Sequence, residues 1–264
     1  MMNVNKAEFR FYEELNDFLR PSLCKKPFIH YFRNNPTVKD TIEALGVPHV
    51  EVDLILANGK PVDFAYRLAD GVHISVYPKF ETFDISGIKG TGMPALRNPR
   101  FILDVHLGRL VRYLRMLGFD SLYENNSEHQ ELVEFSLQEH RILLTRDREL
   151  LKQGKLTHGL WLRSVNPKQQ AKEIIIRLDL HSMVGPFSRC MECNGLIENI
   201  DKTSVLNILQ PGTLRTFNDF FRCTSCGKVY WKGAHYQRMA GILKELTEDT
   251  QSSFLVREAR PDQI

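Results

Sequence analysis

The chain reads FILDVHLGRLVRYLRMLGFD from residue 101 to residue 120. Its first three residues, Phe101–Leu103, form a predicted apolar strand that ends at Asp104. Leucine and valine then recur at helical spacing until Gly118, a residue suited to the turn that closes a helix. The stretch therefore predicts a strand, an acidic residue at the carboxyl end of that strand, and an amphipathic helix.

The alternation of strands and helices continues toward the C-terminus. Short apolar runs predict strands, and longer amphipathic runs between them predict helices. The predicted strands cover residues 121–123, 141–145 and 160–163, and the predicted helices cover 128–140, 148–153 and 168–180. This order predicts an α/β fold: a parallel sheet with flanking helices and right-handed crossovers.

A different pattern precedes the alternating region. Predicted strands surround a single predicted helix, at residues 8–12, 28–32, 37–45 (the helix), 52–56 and 72–77. Asn58-Gly59 is a strong hairpin signal, because both residues accept positive φ. The order predicts an N-terminal β-grasp module.

The run LILANGKPVDFAYRLADGVHISVYP, residues 54–78, is similar to the ubiquitin-like sulfur carriers of thiamine and molybdopterin biosynthesis. Those carriers end in an exposed Gly-Gly that is thiocarboxylated, whereas this chain runs on through Phe83-Asp84-Ile85. We therefore expect a ubiquitin-like module that lacks sulfur-carrier chemistry and offers a surface to a protein partner.

Two Cys-x-x-Cys pairs predict a metal site near the C-terminus. They are Cys190/Cys193 and Cys223/Cys226, and they use four of the five cysteines. A short spacer brings two sulfurs of each pair to one tetrahedron, so the pattern favours a tetrathiolate zinc ribbon. Two disulfides are the alternative, but rings with two-residue spacers are strained and no signal peptide is recognisable. Cys24 is expected to be an inert buried thiol.

Composition narrows the class of protein. The chain has 264 residues, of which 42% are hydrophobic and 25% charged, with a net charge of +3. These values are typical of a globular protein and exclude a disordered chain. The apolar runs are too short to cross a bilayer, and we expect a cytoplasmic location without membrane contact. The small positive charge favours a polyanionic partner only mildly.

The composition also suggests boundaries. Residues 86–99 are rich in glycine and proline and predict a linker. The predicted organisation is a ubiquitin-like β-grasp domain at 1–85, the linker, an α/β domain at 100–182, a zinc ribbon at 183–240 and a polar tail at 241–264.

Acidic residues follow two of the predicted strands. Asp104 comes directly after Phe-Ile-Leu, and Asp147 follows Ile-Leu-Leu-Thr-Arg. Ligands of open α/β sheets gather at the carboxyl ends of the strands, and two carboxylates there repel unless a cation joins them. Hard oxygen ligands favour magnesium or manganese, which suits phosphodiester hydrolysis. Both aspartates fit helix caps equally well, and the pattern alone leaves the two interpretations open.

Arginines accompany both aspartates. Arg109, Arg112 and Arg115 recur every three residues, and Arg146 and Arg148 flank Asp147. These side chains are candidates for binding substrate phosphates, although a solvated helix face has the same pattern.

Several separate segments, in order, resemble the Mut-seven C-terminal RNase family, whose nuclease part belongs to the PIN-like superfamily. They are FILDVHLGRLVRYLRMLGFDSLY, RILLTRDRELL, LRSVNPKQQ, RCMECNGLI and FFRCTSCGKVYWKGAHYQRM, within residues 100–239. The resemblance implies a metal-dependent ribonuclease in which Asp104 and Asp147 match acidic family positions.

The resemblance places a further family carboxylate near the start of the predicted helix at residues 128–140. Here the chain reads Ser-Glu-His-Gln-Glu, with His129 and Gln130 where relatives commonly carry Asp. Glu128 or Glu131 is the expected substitute.

The ribbon segment also carries aromatic and basic residues, namely Tyr230, Trp231, His235, Tyr236, Lys228, Lys232 and Arg238. Such a surface can stack single-stranded bases and hold phosphates, or it can pack on the neighbouring domain.

Together with these residues, the resemblance implies a ribonuclease that hydrolyses RNA with magnesium or manganese at Asp104 and Asp147, with Arg146 or Arg148 neutralising charge and with a structural zinc. A non-catalytic RNA-binding or adaptor protein, using the β-grasp and ribbon surfaces, is the alternative if His129 and Gln130 weaken metal binding.

Overall fold

The computed structural model describes residues 4–78 and 98–258 of the chain. The chain divides into two compact units, Met1–Asn98 with Glu128–Trp161, and Pro99–Ser127 with Leu162–Ile264. Residues 79–97 lie outside the described part, and so does almost all of the predicted linker. The predicted domain boundaries stay a prediction.

The N-terminal region is β-grasp-like, as predicted. Its elements are β1 Asn5–Phe11, β2 Phe28–Phe32, α1 Val38–Ala44, β3 Val52–Ala57, β4 Lys60–Val62 and β5 Val72–Pro78. The sheet has the order β2-β1-β5-β3-β4, in which β1 and β5 are parallel. The Asn58-Gly59 turn has φ of +48° and +78°, which explains the residue types found there.

The alternating region follows, and its two described strand ladders are both parallel. Its elements are β6 Phe101–Leu103, α2 Gly108–Met116, β7 Ser121–Leu122, α3 His129–Glu139, β8 Ile142–Thr145, α4 Arg148–Leu151, β9 Gly159–Trp161 and α5 Pro167–Arg177. Strand β6 pairs with β7 in one unit, and β8 pairs with β9 in the other. The predicted α/β class with flanking helices is confirmed.

Helix α2 buries the predicted leucine stripe. Leu110, Leu114 and Leu117 are fully buried. At Gly118 the backbone φ is +96°, and a Cβ would lie 2.2 Å from the carbonyl oxygen of Gly185. Glycine is therefore required where the chain leaves α2.

Polar contacts join the N-terminal sheet to residues 128–161 within one unit. The buried Glu51 carboxylate accepts a hydrogen bond from the Trp161 backbone amide at 2.6 Å. The His49 ring contacts Glu43 through Nδ1 and the carbonyl oxygen of Leu156 through Nε2 at 2.8 Å. Buried polar groups need such partners, so these contacts fix how the segments pack.

The C-terminal region contains an antiparallel sheet and a long helix. Its elements are β10 Ile197–Ile200, α6 Pro211–Thr216, β11 Phe220–Cys223, β12 Val229–Trp231 and α7 Ala234–Glu258. The sheet order is β10-β11-β12. Over the described residues, none of the helices combines the length and apolarity that crossing a bilayer requires.

Candidate functional site

The four cysteines of the two Cys-x-x-Cys pairs meet at one point. Their sulfurs all lie within 4.8 Å of one another, with Cys190 and Cys226 at 3.7 Å and Cys193 and Cys223 at 3.4 Å. A tetrahedral ion with zinc–sulfur bonds of about 2.3 Å places its sulfurs about 3.8 Å apart. The cluster therefore has the ligand set and the dimensions of a tetrathiolate zinc site, consistent with the predicted ribbon.

The surroundings of the cluster favour a charged sulfur at Cys190 and oppose one at Cys193. Burial alone would raise the pKa of Cys190, but hydrogen bonds from Tyr230 and from backbone amides outweigh it and lower that pKa to about 6. Burial raises the pKa of Cys193, where the neighbouring sulfurs also oppose ionisation, to about 12. Four clustered thiols cannot all ionise without a cation, whereas a zinc ion would hold all four as thiolates.

Arg115 anchors the first Cys-x-x-Cys turn to α2. Its guanidinium is buried, with Nη1 donating to the carbonyl oxygens of Met191 at 3.2 Å and Glu192 at 2.6 Å. Nε and Nη2 both donate to the carbonyl oxygen of Ser121, at 3.1 and 2.9 Å. The prediction that Arg115 binds substrate phosphate is corrected, because its donors are directed into the protein.

Asp147 lies at the carboxyl end of β8 and uses one oxygen as a helix cap. Its Oδ1 accepts from the Glu149 backbone amide at 2.8 Å, at the start of α4. Its Oδ2 lies 3.9 Å from Nε2 of His129, and both side chains are partly exposed. The capping interpretation is therefore realised, and the second oxygen still faces the N-terminus of α3.

Glu128 and Glu131 form a capping box at the start of α3. The Glu128 side chain accepts from the backbone amide of Glu131, and Oε2 of Glu131 accepts from the Glu128 amide at 3.0 Å. Both residues lie beside His129, and thus in the same compact unit as Asp147. Their roles as metal ligands stay a prediction.

Asp104 is placed at the carboxyl end of β6, as predicted. It is 1% exposed, and its carbonyl oxygen accepts from the Leu107 backbone amide at 2.9 Å. Its side chain makes no cap bond to the short 3-10 helix that follows. The position matches the expected strand-end carboxylate, while its catalytic role stays a prediction.

The two arginines that flank Asp147 differ in their surroundings. The guanidinium of Arg148 lies 4.1 Å from the centre of the Trp161 ring and 5.1 Å from that of Phe18. It also donates to the carbonyl oxygen of Asp17 at 3.0 Å. Arg146 is exposed. Of the two, Arg146 is the better placed to meet a phosphate.

His129 is the residue whose position the sequence did not reveal. Its place in the chain suggested only a departure from the family pattern, whereas its ring faces Asp147. Gln130 points along the helix and donates to Glu134 at 3.2 Å. The pair Glu128-His129 at the start of α3 gives no signal of this contact, because the contact depends on how α3 packs.

Comparison with known proteins gives two family matches. Residues 99–243 match the family described as Mut7-C RNAse domain, and residues 4–84 match the family described as Mut7-C ubiquitin. No curated protein and no solved structure matches the chain. The two matches cover the β-grasp region and the region that holds Asp104, Asp147 and the four cysteines.

Proposed function

Since this chain belongs to the Mut7-C RNAse family, we propose that it hydrolyses RNA phosphodiester bonds with a bound magnesium or manganese ion. The family suggests a nuclease; the substrate, the ion and the site are our proposal. The observation that carries it is the position of Asp147, a carboxylate at the end of a parallel strand whose Oδ2 is not used by the helix cap.

The donor chemistry fits the proposed ion. Asp147 and Asp104 each follow a buried strand and offer carboxylate oxygens, which magnesium and manganese prefer. Glu128 or Glu131 is the proposed third carboxylate. A bound ion would lower the pKa of a coordinated water and stabilise charge on a phosphoryl oxygen.

The chain's own residues orient the site. The bond from the Glu149 amide fixes one oxygen of Asp147, so the other keeps a constant direction. Arg146 directly precedes Asp147 and is exposed, and its guanidinium supplies positive charge for the scissile phosphate. Nε2 of His129 lies 3.9 Å from Oδ2 of the same carboxylate, which is too far for a hydrogen bond.

The proposal places the activity in the cytoplasm, because a tetrathiolate zinc site requires reduced cysteines. Zinc is structural in this scheme, since four thiolates close its tetrahedron. The functional domains are proposed to follow the predicted boundaries, and the β-grasp module is proposed to offer a surface to a protein partner.

The test is a panel of labelled substrates incubated with the full chain: single-stranded RNA, structured RNA and single-stranded DNA, each with magnesium, manganese or no added divalent ion. The proposal predicts RNA cleavage only in the lanes with a divalent ion. Retarded but intact RNA in every lane would overturn it in favour of the RNA-binding adaptor.

A further inference from the structure

A large groove lies within the unit formed by residues 99–127 and 162–264. Asp147 belongs to the other unit and does not line this groove. Its volume is about 1060 Å³, and it runs between α2, the start of α5, the three-stranded sheet and the start of α7. Pockets for drug-sized ligands span about 300–1,000 Å³, so this groove has room for a polymer segment.

The charges that line the groove are mainly positive. The fixed cations are Arg109, Arg112, Arg189, Lys228 and Lys232, against the single carboxylate of Glu192. Two of these cations share the Glu192 carboxylate: Nζ of Lys228 lies 2.8 Å from Oε1, and Nη2 of Arg112 lies 4.0 Å from Oε2. Arg109 and Lys232 are exposed at the groove, and among the described residues neither pairs with a carboxylate within 4 Å.

Aromatic rings line the same groove as these cations. Tyr113, Phe221, Tyr230, Trp231, Phe187 and Tyr236 line the groove, and each is only partly buried. Phe187 and Tyr236 are packed ring to ring at 4.6 Å, and the Lys232 ammonium lies 6.0 Å from the centre of the Phe221 ring. Rings held by neighbours at an open surface lose little freedom when a base stacks on them.

Partly exposed rings between cations suit one class of ligand. Single-stranded nucleic acid offers flat bases for stacking and phosphates for the cations, whereas a duplex hides its base faces. An acidic protein would use the cations but would gain no stacking from the rings.

We propose that this groove binds a single-stranded segment of the RNA substrate, with Trp231 and Tyr236 stacking bases and Arg109 and Lys232 contacting phosphates. The proposal rests on the proposed ribonuclease function and names the form of RNA that this function acts on. Tyr230 is excluded from the stacking set, because its hydroxyl lies 3.0 Å from the Cys190 sulfur and serves the zinc cluster.

The test measures binding separately from cleavage. Fluorescence anisotropy with a labelled 12-nucleotide RNA, without added magnesium or manganese, gives the affinity of the full zinc-loaded chain. Trp231→Ala should weaken binding roughly 5- to 150-fold, as expected for losing one base–aromatic stack. Trp231→Phe, which keeps a ring, should retain most of the affinity.

The charge variant is Arg109→Gln with Lys232→Gln. Removing two phosphate contacts should reduce the slope of log affinity against log salt by about 1.4. The matched control is Lys202→Gln with Lys244→Gln, which removes two cations of the same unit outside the groove, the half-buried Lys202 and the exposed Lys244. That control should leave the slope and the affinity near their wild-type values.

Zinc content is measured for every variant. If Trp231→Ala loses its zinc, the test rests on the charge variant. Wild-type RNA affinity in the charge variant, or equal binding of duplex and single-stranded RNA, would overturn the proposal and leave the groove to a protein ligand. Cleavage with wild-type substrate dependence in that variant would then show that the ribonuclease function stands without the groove.

Discussion

The guanidinium of Arg115 donates to the backbone carbonyl oxygen of Glu192 at 2.6 Å, which joins helix α2 to the first Cys-x-x-Cys turn. The same side chain holds the carbonyl oxygen of Ser121 at the start of β7. One buried cation therefore holds helix α2, strand β7 and the first Cys-x-x-Cys turn of the zinc cluster in a single arrangement. Burial lowers the pKa of Arg115, and the nearby sulfurs oppose that shift.

Substituting Arg115 should loosen this arrangement. Arg115→Met leaves three backbone carbonyls without their donor, and each unsatisfied buried group costs about 1–3 kcal/mol. We expect the free energy of local opening of residues 108–122 to fall by about 3 kcal/mol or more. Hydrogen–deuterium exchange of those backbone amides measures it.

The matched control is Arg112→Met, three residues earlier on the same helix. Its side chain is 67% exposed and its ion pair with Glu192 is 4.0 Å long, so its loss should cost less than about 1 kcal/mol. Equal effects of the two variants would contradict a special role for Arg115.

The cysteine cluster should hold one zinc ion per chain. Cys226→Ser removes one of four thiolates, and we expect the ion to be lost together with protection of the β10-β11-β12 sheet, because metal binding supplies much of the folding free energy of such small sheets. Cys24→Ser, outside the cluster, should keep the zinc. Metal analysis by mass spectrometry reads both, and full zinc content in Cys226→Ser would refute the assignment.

His129 and Gln130 should respond differently to restoration of the acidic family residue. His129→Asp places a carboxylate where a ring now faces Asp147, so we expect manganese to bind roughly tenfold more tightly or better. Gln130→Asp should change little, since that side chain bonds Glu134 instead. Calorimetric titration with manganese decides, and no gain in His129→Asp would count against a metal site beside α3.

Glu131 should show two separable roles. Glu131→Gln keeps the capping box, because glutamine serves at that position, whereas Glu131→Ala should cost α3 about 1 kcal/mol. If Glu131 is the third carboxylate, Glu131→Gln weakens manganese binding without this loss of stability. Unchanged binding would shift the role to Glu128, and unchanged binding in Glu128→Gln as well would contradict a glutamate ligand here.

The sequence predicted features that depend on local pattern. The β-grasp strands, the parallel strand–helix order and the four cysteines follow from periodicity, turn residues and ligand spacing. These signals are strong because each is encoded within a few consecutive residues.

The role of Arg115 could not be predicted in the same way. Arg109, Arg112 and Arg115 share a spacing of three, but three residues turn an α-helix by about 300°, so each arginine lies about 60° from the last. Arg109 and Arg115 are thus about 120° apart, and only Arg115 reaches the buried side. Which side is buried depends on residues more than seventy positions away, Met191 and Glu192.

Arg148 illustrates the same limit. Its place beside Asp147 favoured phosphate contact, yet its guanidinium packs on Trp161 and Phe18. Phe18 belongs to the N-terminal region, whose packing against residues 128–161 no local pattern encodes.

The most direct test of the ribonuclease proposal is the rate of RNA cleavage, with manganese, by Asp147→Asn. Asparagine caps helices as well as aspartate does, so α4 and the zinc content should persist. Glu149→Gln, the same change of acid to amide two residues later at a 78% exposed side chain, is the control. We predict a fall of about 10²- to 10³-fold in Asp147→Asn, from the loss of charge stabilisation, and little change in the control. A wild-type rate in a folded, zinc-loaded Asp147→Asn chain would contradict the proposal.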